Sequence, residues 1–451
     1  MQTVIIAGGK GSRIRSVAED IPKPMINICG KPALEHEIDC LRDQGFTDII
    51  LTVGYLGKII MDYFGDGSNI SPVTGKAFGV HIEYYYEKEP LGNAGALFDL
   101  REKLDNQFLL LNGDIIFNVD LQRFIEYHKT KGALATIFTH PNSHPYDSSL
   151  VIANKDGAVT EWLGKEEKRP LYYKNRVNAG LHIMSLELLN QFRISEKKRI
   201  DLDQDILKPL AGTGKLYCYD SPEYVHDMGT PDRYEKVCHD YISRKIEIKN
   251  LKKDQTAIFL DRDGTINKYI GFLRKVDDFE LLPGVAEAIK IINDLGYLAI
   301  VVTNQPVIAR GEVTVEELQE IHNKMETLLG EQGAYLDAIY YCPHHPHKGY
   351  AGEVKELKVQ CSCRKPRPGL LRQAAEDFHI KLAKSWMIGD EETDVQAGIA
   401  AGCHTAWIHK EKREGQDSTI MVSSLLDFVK NILVKQQCSE EGDKITDGTF
   451  K

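Results

Sequence analysis

Short apolar runs alternate with amphipathic stretches along most of this chain, and the alternation starts again near residue 256. The earlier runs include TVIIA, DIILTVG and QFLLLNGD, and the later ones include TAIFLD, YLAIVVTN, LDAIYYC, SWMIGD and HTAWI. Strand-length apolar runs between helical stretches are typical of strand–helix units on a mostly parallel sheet. The pattern therefore predicts an α/β protein with two sheets, one in each series.

A charge-rich segment without glycine or proline, RKIEIKNLKKDQ, separates the two series. At about 150 residues per domain, a chain of 451 residues has room for two or three domains. We predict an amino-terminal domain over residues 1–243, a linker over 244–255, a carboxyl-terminal domain over 256–436 and a tail over 437–451. Within the first domain, the stretch 138–176 is polar and less regular than the rest.

The charge balance argues against two classes of partner. The 56 Lys and Arg residues are outnumbered by 66 Asp and Glu residues, and the net charge of -10 gives no basic surface for nucleic acid or an anionic membrane.

The start, MQTVIIAGGKGSR, lacks the basic segment and long apolar run of a signal peptide, and no stretch is apolar for about 18 residues. We expect a soluble cytoplasmic protein, and the sequence leaves oligomerisation open.

A glycine-rich segment follows the first apolar run, and the motif IPKPM lies shortly after it. Glycines at the carboxyl end of a strand let backbone N–H groups approach phosphates, and Arg13 and Lys23 could neutralise the phosphate charge. A simple tight turn explains the glycines alone equally well. The spacing matches neither the P-loop nor the dinucleotide-binding fingerprint.

These two motifs, followed in order by EPLGNAGAL, LLLNGDIIF, VNAGLHIMS and HDMGTPDRY, resemble the sugar-1-phosphate nucleotidyltransferase family over roughly residues 1–240. The resemblance implies a Rossmann-like mixed sheet, and a reaction in which a sugar 1-phosphate oxygen attacks the α-phosphorus of a nucleoside triphosphate. It also implies a set of contacts. They are Gly8, Gly9, Gly11, Ser12, Gly92 and Asn93 for the nucleotide, Arg13 and Lys23 for the phosphates, Asp114 and Asp227 for Mg²⁺, and Gly113, Lys165 and Asn178 for the sugar.

Two positions depart from that family. Ser12 stands where the family usually has threonine, and the hydroxyl is kept. Gly164 stands where the family has the glutamate of a Glu-Lys pair, so only Lys165 can be carried over. Without the other motifs, Asp114 would be interpreted as a turn residue and Asp227 as a helix N-cap.

Polar residues follow several strands of the second domain. Asp261 and Asp263 come after TAIFL, Thr303 and Asn304 end YLAIVVTN, and Asp390 follows SWMIG. The carboxyl ends of parallel strands meet at one edge of a sheet, where α/β proteins bind their ligands. With Lys365 in CRKPRPG, this pattern resembles the haloacid dehalogenase superfamily, and the resemblance implies a Rossmann-like domain without a large cap.

That resemblance implies a phosphatase mechanism. Asp261 would attack phosphorus to form an aspartyl phosphate, and Asp263 would be the general acid and base. Thr303 and Lys365 would hold the phosphoryl oxygens. Mg²⁺ would be held by Asp261, Asp390 and the backbone of Asp263.

Three of the nine cysteines, Cys342, Cys361 and Cys363, are clustered beside histidines. Two ligand pairs, each spaced by two, fit a closed tetrahedral zinc site, although the spacing does not choose among the nearby histidines. The candidates are His344, His345 and His347. The segments CPHHP and CxCRKP resemble the D-glycero-D-manno-heptose 1,7-bisphosphate phosphatase branch, which selects His344 and implies a structural zinc ion. The remaining cysteines are interpreted as reduced thiols.

The same branch implies that Asn304, Arg310 and Arg364 contact the substrate. The two arginines are predicted to bind its second phosphate, because planar guanidinium groups suit phosphate. The chain departs from it at Pro306 and Val307, which replace Ser-Gly, and at Glu391, which replaces lysine. Histidinol-phosphate phosphatases share the zinc pattern, so that pattern alone does not fix the substrate.

The two resemblances together lead us to expect a bifunctional enzyme of nucleotide-activated heptose synthesis. One domain would dephosphorylate heptose 1,7-bisphosphate at C7, and the other would join heptose 1-phosphate to GMP from GTP. Two alternatives are open. The first is a mannose-1-phosphate guanylyltransferase fused to a histidinol-phosphate-type phosphatase. The second is a phosphatase regulated by a non-catalytic domain that senses sugar nucleotides.

Overall fold

The computed structural model describes residues 1–9, 14, 20–192, 199–409 and 419–435. The chain divides into two compact units. Unit 1 comprises Met1–His140, Ser148–Lys168 and Arg176–Asn250, and unit 2 comprises Pro141–Asp147, Arg169–Asn175 and the chain from Leu251 onward. The predicted tail, 437–451, lies outside the described residues.

Most strands of unit 1 belong to one large sheet. The described strands of unit 1 are β1 (Thr3–Ile6), β2 (Asn27–Ile28), β3 (Lys31–Pro32), β4 (Asp48–Val53), β5 (His81–Tyr86), β6 (Gln107–Asn112), β7 (Ile115–Asn118), β8 (Ala135–His140), β9 (Leu150–Ala153), β10 (Val159–Leu163), β11 (Val177–Ser185), β12 (Leu216–Asp220) and β13 (Tyr224–Asp227), of which β2 with β3 and β7 with β13 form separate two-stranded sheets. Its helices are α1 (Ala33–Arg42), α2 (Gly57–Phe64), α3 (Gly95–Asp99), α4 (Leu121–Lys131), α5 (Leu186–Gln191), α6 (Pro231–Ile242) and α7 (Lys245–Ile248).

The large sheet is mixed, as the family resemblance implied. Its order is β10-β9-β11-β6-β1-β4-β5, and β8 pairs with both β11 and β12. The stretch from β6 to β5 is parallel, whereas β11 runs antiparallel to β6, β8 and β9. Strands β9 and β10 fall in the stretch that the sequence showed as less regular, because each is only four or five residues long and too short for a clear alternation.

Unit 2 is built on a parallel sheet. Its described strands are β14 (Ala257–Leu260), β15 (Leu298–Asn304), β16 (Ala338–Cys342), β17 (Trp386–Gly389), β18 (His404–Ile408) and β19 (Thr419–Val422), in the order β16-β15-β14-β17-β18-β19. Its helices are α8 (Val285–Asp294), α9 (Val315–Gly330), α10 (Gly369–Phe378), α11 (Glu392–Ala401) and α12 (Leu425–Phe428). The apolar runs of the sequence correspond to its first five strands, so the predicted α/β fold is confirmed.

The central strands of unit 2 are buried on both faces. Ile258 and Leu260 of β14 belong to one apolar core, whereas Ala257 and Phe259 belong to another on the opposite side of the sheet. Strands covered on both faces have apolar residues at every position, which explains the unbroken run in the sequence. None of the helices in the described part of the chain is long and apolar enough to cross a membrane.

Candidate active sites

The two predicted magnesium ligands of unit 1 lie on neighbouring backbone segments. Asp114 lies between β6 and β7, and the antiparallel pairing of β13 with β7 sets Asp227 opposite Ile115. The N–H of Met228 also donates to the Asp114 carbonyl oxygen at 3.1 Å. The register of one strand pair therefore brings together two carboxylates that are far apart in sequence.

Each of these two carboxylates is paired with a cation. Lys23 forms an ion pair with Asp114, and Arg233 Nη1 lies 3.0 Å from Asp227 Oδ2. Burial raises the pKa of Asp227, but Arg233 and His226 outweigh this effect and the pKa is lowered to about 2. Asp227 is thus ionised at neutral pH, as a ligand of a divalent cation must be.

A cleft beside the carboxyl ends of β1 and β6 contains five of the predicted contacts. A Cβ atom at Gly113 would lie 2.9 Å from the Ile6 carbonyl oxygen, so the close approach of these two segments requires glycine. The five predicted residues among those that line the cleft are Gly9, Lys23, Asn93, Gly113 and Asp114. Gly8 and Gly92 are the sequence neighbours of two of them, and Gly92 has a φ of +85°, which favours glycine. Gly11, Ser12 and Arg13 lie outside the described residues.

The predicted sugar contacts Lys165 and Asn178 are not among the described residues that line this cleft. The Asn178 amide donates to Asp203 Oδ1 at 3.2 Å, and its oxygen lies 3.0 Å from His182 Nε2. Burial and the neighbouring Asp201 raise the pKa of Asp203 to about 6, although Asn178 and Lys165 oppose the rise. Sequence reasoning missed Asp203, whose only signal was the acidic run DLDQD.

The backbone at Gly164 is held by a nearby acidic residue. The Gly164 N–H donates to Glu167 Oε2 at 2.9 Å, and Glu167 also forms an ion pair with Lys208. Position 164, which carries a glutamate in the resembled family, therefore has no acidic side chain. The nearby Glu167 already binds the Gly164 backbone and Lys208.

Unit 2 brings its predicted site residues to the carboxyl ends of three adjacent strands. Asp261 follows β14, Asn304 ends β15 and Asp390 follows β17, and β14 lies between the other two. Parallel strands end at the same edge of a sheet, so these residues lie close together, and a cleft opens there. Six predicted residues line it: Asp261, Asp263, Thr303, Asn304, Arg364 and Lys365.

The Lys365 ammonium is buried between two carboxylates. Its Nζ lies 2.7 Å from Asp261 Oδ1 and 2.6 Å from Asp394 Oδ1. The side chain of Asn304 exchanges two hydrogen bonds with the Lys365 backbone, at 3.0 and 3.1 Å, which fixes this loop against the end of β15. Sequence analysis missed Asp394, which is 1% exposed; its signal was a second aspartate four residues after Asp390, in the first turn of α11.

Three carboxylates at this edge of the sheet could share a metal ion. Oxygen atoms of Asp261, Asp390 and Asp394 all lie within 4.8 Å of one another. Burial, reinforced by neighbouring carboxylates, raises the pKa of Asp390 to about 7; burial raises that of Asp261 to about 6, although Lys365 opposes it. Asp390 Oδ1 is buried and has no hydrogen-bond partner in the described part of the chain. A hard cation such as Mg²⁺ fits this donor set and would favour the ionised forms.

Arg310, predicted to contact a second phosphate, is held between two aromatic rings. Its guanidinium carbon lies 4.1 Å from the ring centre of Phe272 and 4.4 Å from that of Tyr350. Its Nε also lies 2.9 Å from Glu312. Phe272 lines the cleft, whereas Arg310 is not among the described lining residues. The predicted contact of Arg310 with substrate stays a prediction.

The three clustered cysteines and one histidine form a compact group: Cys342, His344, Cys361 and Cys363. The three Sγ–Sγ distances are 3.5, 3.3 and 3.1 Å, and His344 Nδ1 lies 3.3 Å from Cys363 Sγ. Three thiolates with one imidazole match the donor set of a closed tetrahedral zinc site. His345 lies instead against the His347 carbonyl oxygen, at 3.3 Å. The Arg364 guanidinium donates to the His344 carbonyl at 3.3 Å, so the group also positions this cation of the cleft.

The fold and the two clefts define an enzyme with a nucleotidyltransferase domain and a haloacid dehalogenase (HAD)-type phosphatase domain. A family model described as nucleotidyl transferase matches residues 2–244, and one described as HAD-hydrolase-like matches residues 362–426. The chain belongs to the nucleotidyl transferase family through its amino-terminal half and to the D-glycero-beta-D-manno-heptose-1,7-bisphosphate 7-phosphatase family through the remainder.

Two relatives and one solved structure illustrate these matches. The D-glycero-beta-D-manno-heptose-1,7-bisphosphate 7-phosphatase of Escherichia coli (strain K12) is 40% identical over 183 residues, which are 41% of this chain and 92% of the relative. The phosphatase of that name from Haemophilus ducreyi is 41% identical over 179 residues, 40% of this chain and 94% of the relative. HddC from Yersinia pseudotuberculosis complexed with GMP-PN is 27% identical, covers 53% of this chain and 99% of its own, and gives a TM-score of 0.44. The predicted membership of both families and the bifunctional enzyme class are confirmed.

Proposed function

We propose that this enzyme catalyses two consecutive reactions of nucleotide-activated heptose synthesis. The carboxyl-terminal domain removes the 7-phosphate from D-glycero-D-manno-heptose 1,7-bisphosphate, and the amino-terminal domain transfers GMP from GTP to heptose 1-phosphate, giving GDP-heptose and pyrophosphate. One observation carries the proposal: a nucleotidyl transferase is joined to a domain 40% identical to heptose-bisphosphate phosphatases. Removal of the 7-phosphate leaves the sugar 1-phosphate group that a nucleotidyltransferase consumes.

The phosphatase reaction proceeds in two steps. An oxygen of Asp261 attacks the 7-phosphorus, the bond from phosphorus to the C7 oxygen breaks, and Asp263 gives its proton to that oxygen. Asp263 then accepts a proton from water as the water oxygen attacks phosphorus, which releases Asp261 and inorganic phosphate. Lys365, held by Asp261 and Asp394, is placed to stabilise the phosphoryl oxygens.

Magnesium is proposed at both sites. Asp261, Asp390 and the Asp263 backbone would hold it in the phosphatase domain, with Asp394 close by, and Asp114 and Asp227 would hold it in the transferase domain. When bound, Mg²⁺ offsets the negative charge that gathers on the phosphoryl oxygens during transfer. Lys23 adds a cation beside Asp114, where the triphosphate would lie.

The zinc assignment is a proposal with a direct test. We expect Cys361→Ser to reduce bound zinc from one ion per chain to a small fraction and to lower the melting temperature of the phosphatase domain by about 10 °C or more, because structural zinc contributes folding free energy. Metal analysis and calorimetry check this. Cys403→Ser, in the same unit but outside the cluster, should keep its zinc. Full zinc occupancy in Cys361→Ser would contradict the assignment.

Three further proposals concern the chain as a whole. The domain boundaries are proposed as predicted above, 1–243 and 256–436, with a linker over 244–255. The compact units instead divide the chain after Asn250, and they assign Pro141–Asp147 and Arg169–Asn175 to unit 2. Both reactions are placed in the cytoplasm, where nucleoside triphosphates are available. Guanine is proposed as the base because the motifs of the first domain resemble those of the heptose 1-phosphate and mannose 1-phosphate guanylyltransferases.

A coupled assay tests the proposed function. Purified protein is incubated with Mg²⁺, heptose 1,7-bisphosphate and GTP, with ATP, CTP and UTP in parallel, and the products are followed by mass spectrometry. We expect inorganic phosphate in every tube and a nucleotide-linked heptose only with GTP. Phosphate without any nucleotide sugar would favour the alternative in which the first domain only senses sugar nucleotides. The glycine at 164, in place of the family's glutamate, is consistent with that alternative. Absence of both products would refute the heptose assignment.

A further inference from the structure

Arg262, which separates the two catalytic aspartates in sequence, is 0% exposed. Its Nη2 donates to both oxygens of Asp263, at 3.0 and 2.8 Å. Two amides complete the arrangement, since Asn267 Nδ2 donates to Oδ1 and Gln305 Nε2 to Oδ2, each at 3.0 Å. Three side chains thus hold the two oxygens of one carboxyl group.

Further contacts fix two of these three side chains, Gln305 and Arg262. Gln305 also donates to Thr303 Oγ1 at 2.9 Å, and it is 2% exposed. Arg262 Nη1 lies 3.4 Å from Nε2 of the buried His322. Because burial and the guanidinium both lower the pKa of His322, its neutral ring is available to accept this bond. The arginine therefore has little freedom to turn away from Asp263.

We propose that Arg262 is a positioning residue which, together with Gln305, holds the Asp263 carboxyl in the orientation that serves both proton transfers. Removing a guanidinium from water costs free energy, so a buried arginine needs a partner of opposite charge. A general acid and base must lie within hydrogen-bond reach of the oxygen it protonates and then of the attacking water. The inference rests on the proposed aspartyl-phosphate mechanism, and it does not depend on the identity of the sugar.

The test uses p-nitrophenyl phosphate, whose leaving group departs without being protonated. In Arg262→Gln, attack by Asp261 should still release about one equivalent of p-nitrophenol per chain in a rapid first turnover. Hydrolysis of the aspartyl phosphate needs Asp263 as a base, so the steady-state kcat should fall at least about tenfold. KM should fall by a similar factor, because kcat/KM reports the first step, which is unchanged. With heptose 1,7-bisphosphate, whose alkoxide must be protonated, the rapid first turnover should disappear as well. Stopped-flow absorbance and quenched-flow phosphate analysis give these rates.

Three variants complete the design. Arg372→Gln, which removes an exposed arginine of the same unit, should behave as wild type. Gln305→Met removes one hydrogen-bond donor to Asp263 and leaves the buried charge of Arg262 in place. It should show the same burst followed by slow turnover. It therefore tests the proposal if Arg262→Gln does not fold. Asp261→Asn should give no burst.

Two results would overturn the inference. One is a wild-type steady-state rate in Arg262→Gln, or in Gln305→Met if the arginine variant is unfolded. The other is loss of the burst together with turnover in a variant that keeps its melting temperature, which would mean that the arginine supports the whole cleft. Release of p-nitrophenol by Asp261→Asn at the wild-type rate would instead refute the mechanism proposed above. Wild type that cleaves p-nitrophenyl phosphate but not heptose bisphosphate would refute only the substrate.

Discussion

Asp261→Asn is expected to lower phosphate release from heptose 1,7-bisphosphate by on the order of a thousandfold or more, because the amide cannot form the aspartyl phosphate. GMP transfer from GTP to supplied heptose 1-phosphate should continue at the wild-type rate, since unit 1 carries its own cleft. Phosphate release and nucleotide-sugar formation, measured on one preparation, check both expectations.

The matched control for this variant is Asp277→Asn, an exposed aspartate of the same unit. It should leave both activities unchanged. If Asp261→Asn kept normal phosphate release, Asp261 would not be the nucleophile. Loss of both activities with an unchanged melting temperature would show that the two domains depend on each other for activity.

Asp114→Ala is expected to lower GMP transfer by about 100-fold or more while phosphate release stays normal. The change removes a predicted magnesium ligand and also leaves Lys23 without its ion-pair partner. Loss of preorganised charge stabilisation around a transferring phosphoryl group typically costs several kcal/mol of the barrier. Initial rates of pyrophosphate release at several Mg²⁺ concentrations measure the effect.

Asp62→Ala provides the comparison, because Asp62 is an exposed acid of unit 1 that pairs only with Lys58 on α2 among the contacts described. It should retain full transfer activity and the wild-type dependence on Mg²⁺. Undiminished transfer by Asp114→Ala would mean that the metal is held elsewhere and would remove Asp114 from the site.

Much of both sites could be predicted because their residues occur in short, local motifs. Asp261 and Asp263 are two positions apart, and the strand that precedes them could be recognised from its unbroken apolar run. The two ligand pairs of the predicted zinc site were equally local, because the two members of each pair are only two positions apart in the sequence. Even the choice of His344 over its neighbours required only a resemblance, and the structure places that ring with the thiols.

Residues that act through tertiary contacts could not be predicted in this way. Asp203 lies beside Asn178, and Asp394 lies against Lys365, although neither pair is close in sequence. Arg262 offered a different difficulty, since its neighbours in sequence were obvious but its burial was not. For Arg310, the resemblance predicted a contact with the substrate, and only the structure shows that its guanidinium is stacked between two aromatic rings.

The sequence by itself determined the two α/β domains, the order of their strands along the chain and the chemical types present at each strand end. These properties depend on hydrophobic periodicity and local spacing, which a linear sequence records directly. Only the tertiary structure decided which carboxylates share a cleft, which cations they pair with and how the Asp263 carboxyl is held. Those choices depend on strand order and register, because parallel pairing of β15, β14 and β17 sets side chains from distant segments within hydrogen-bonding distance.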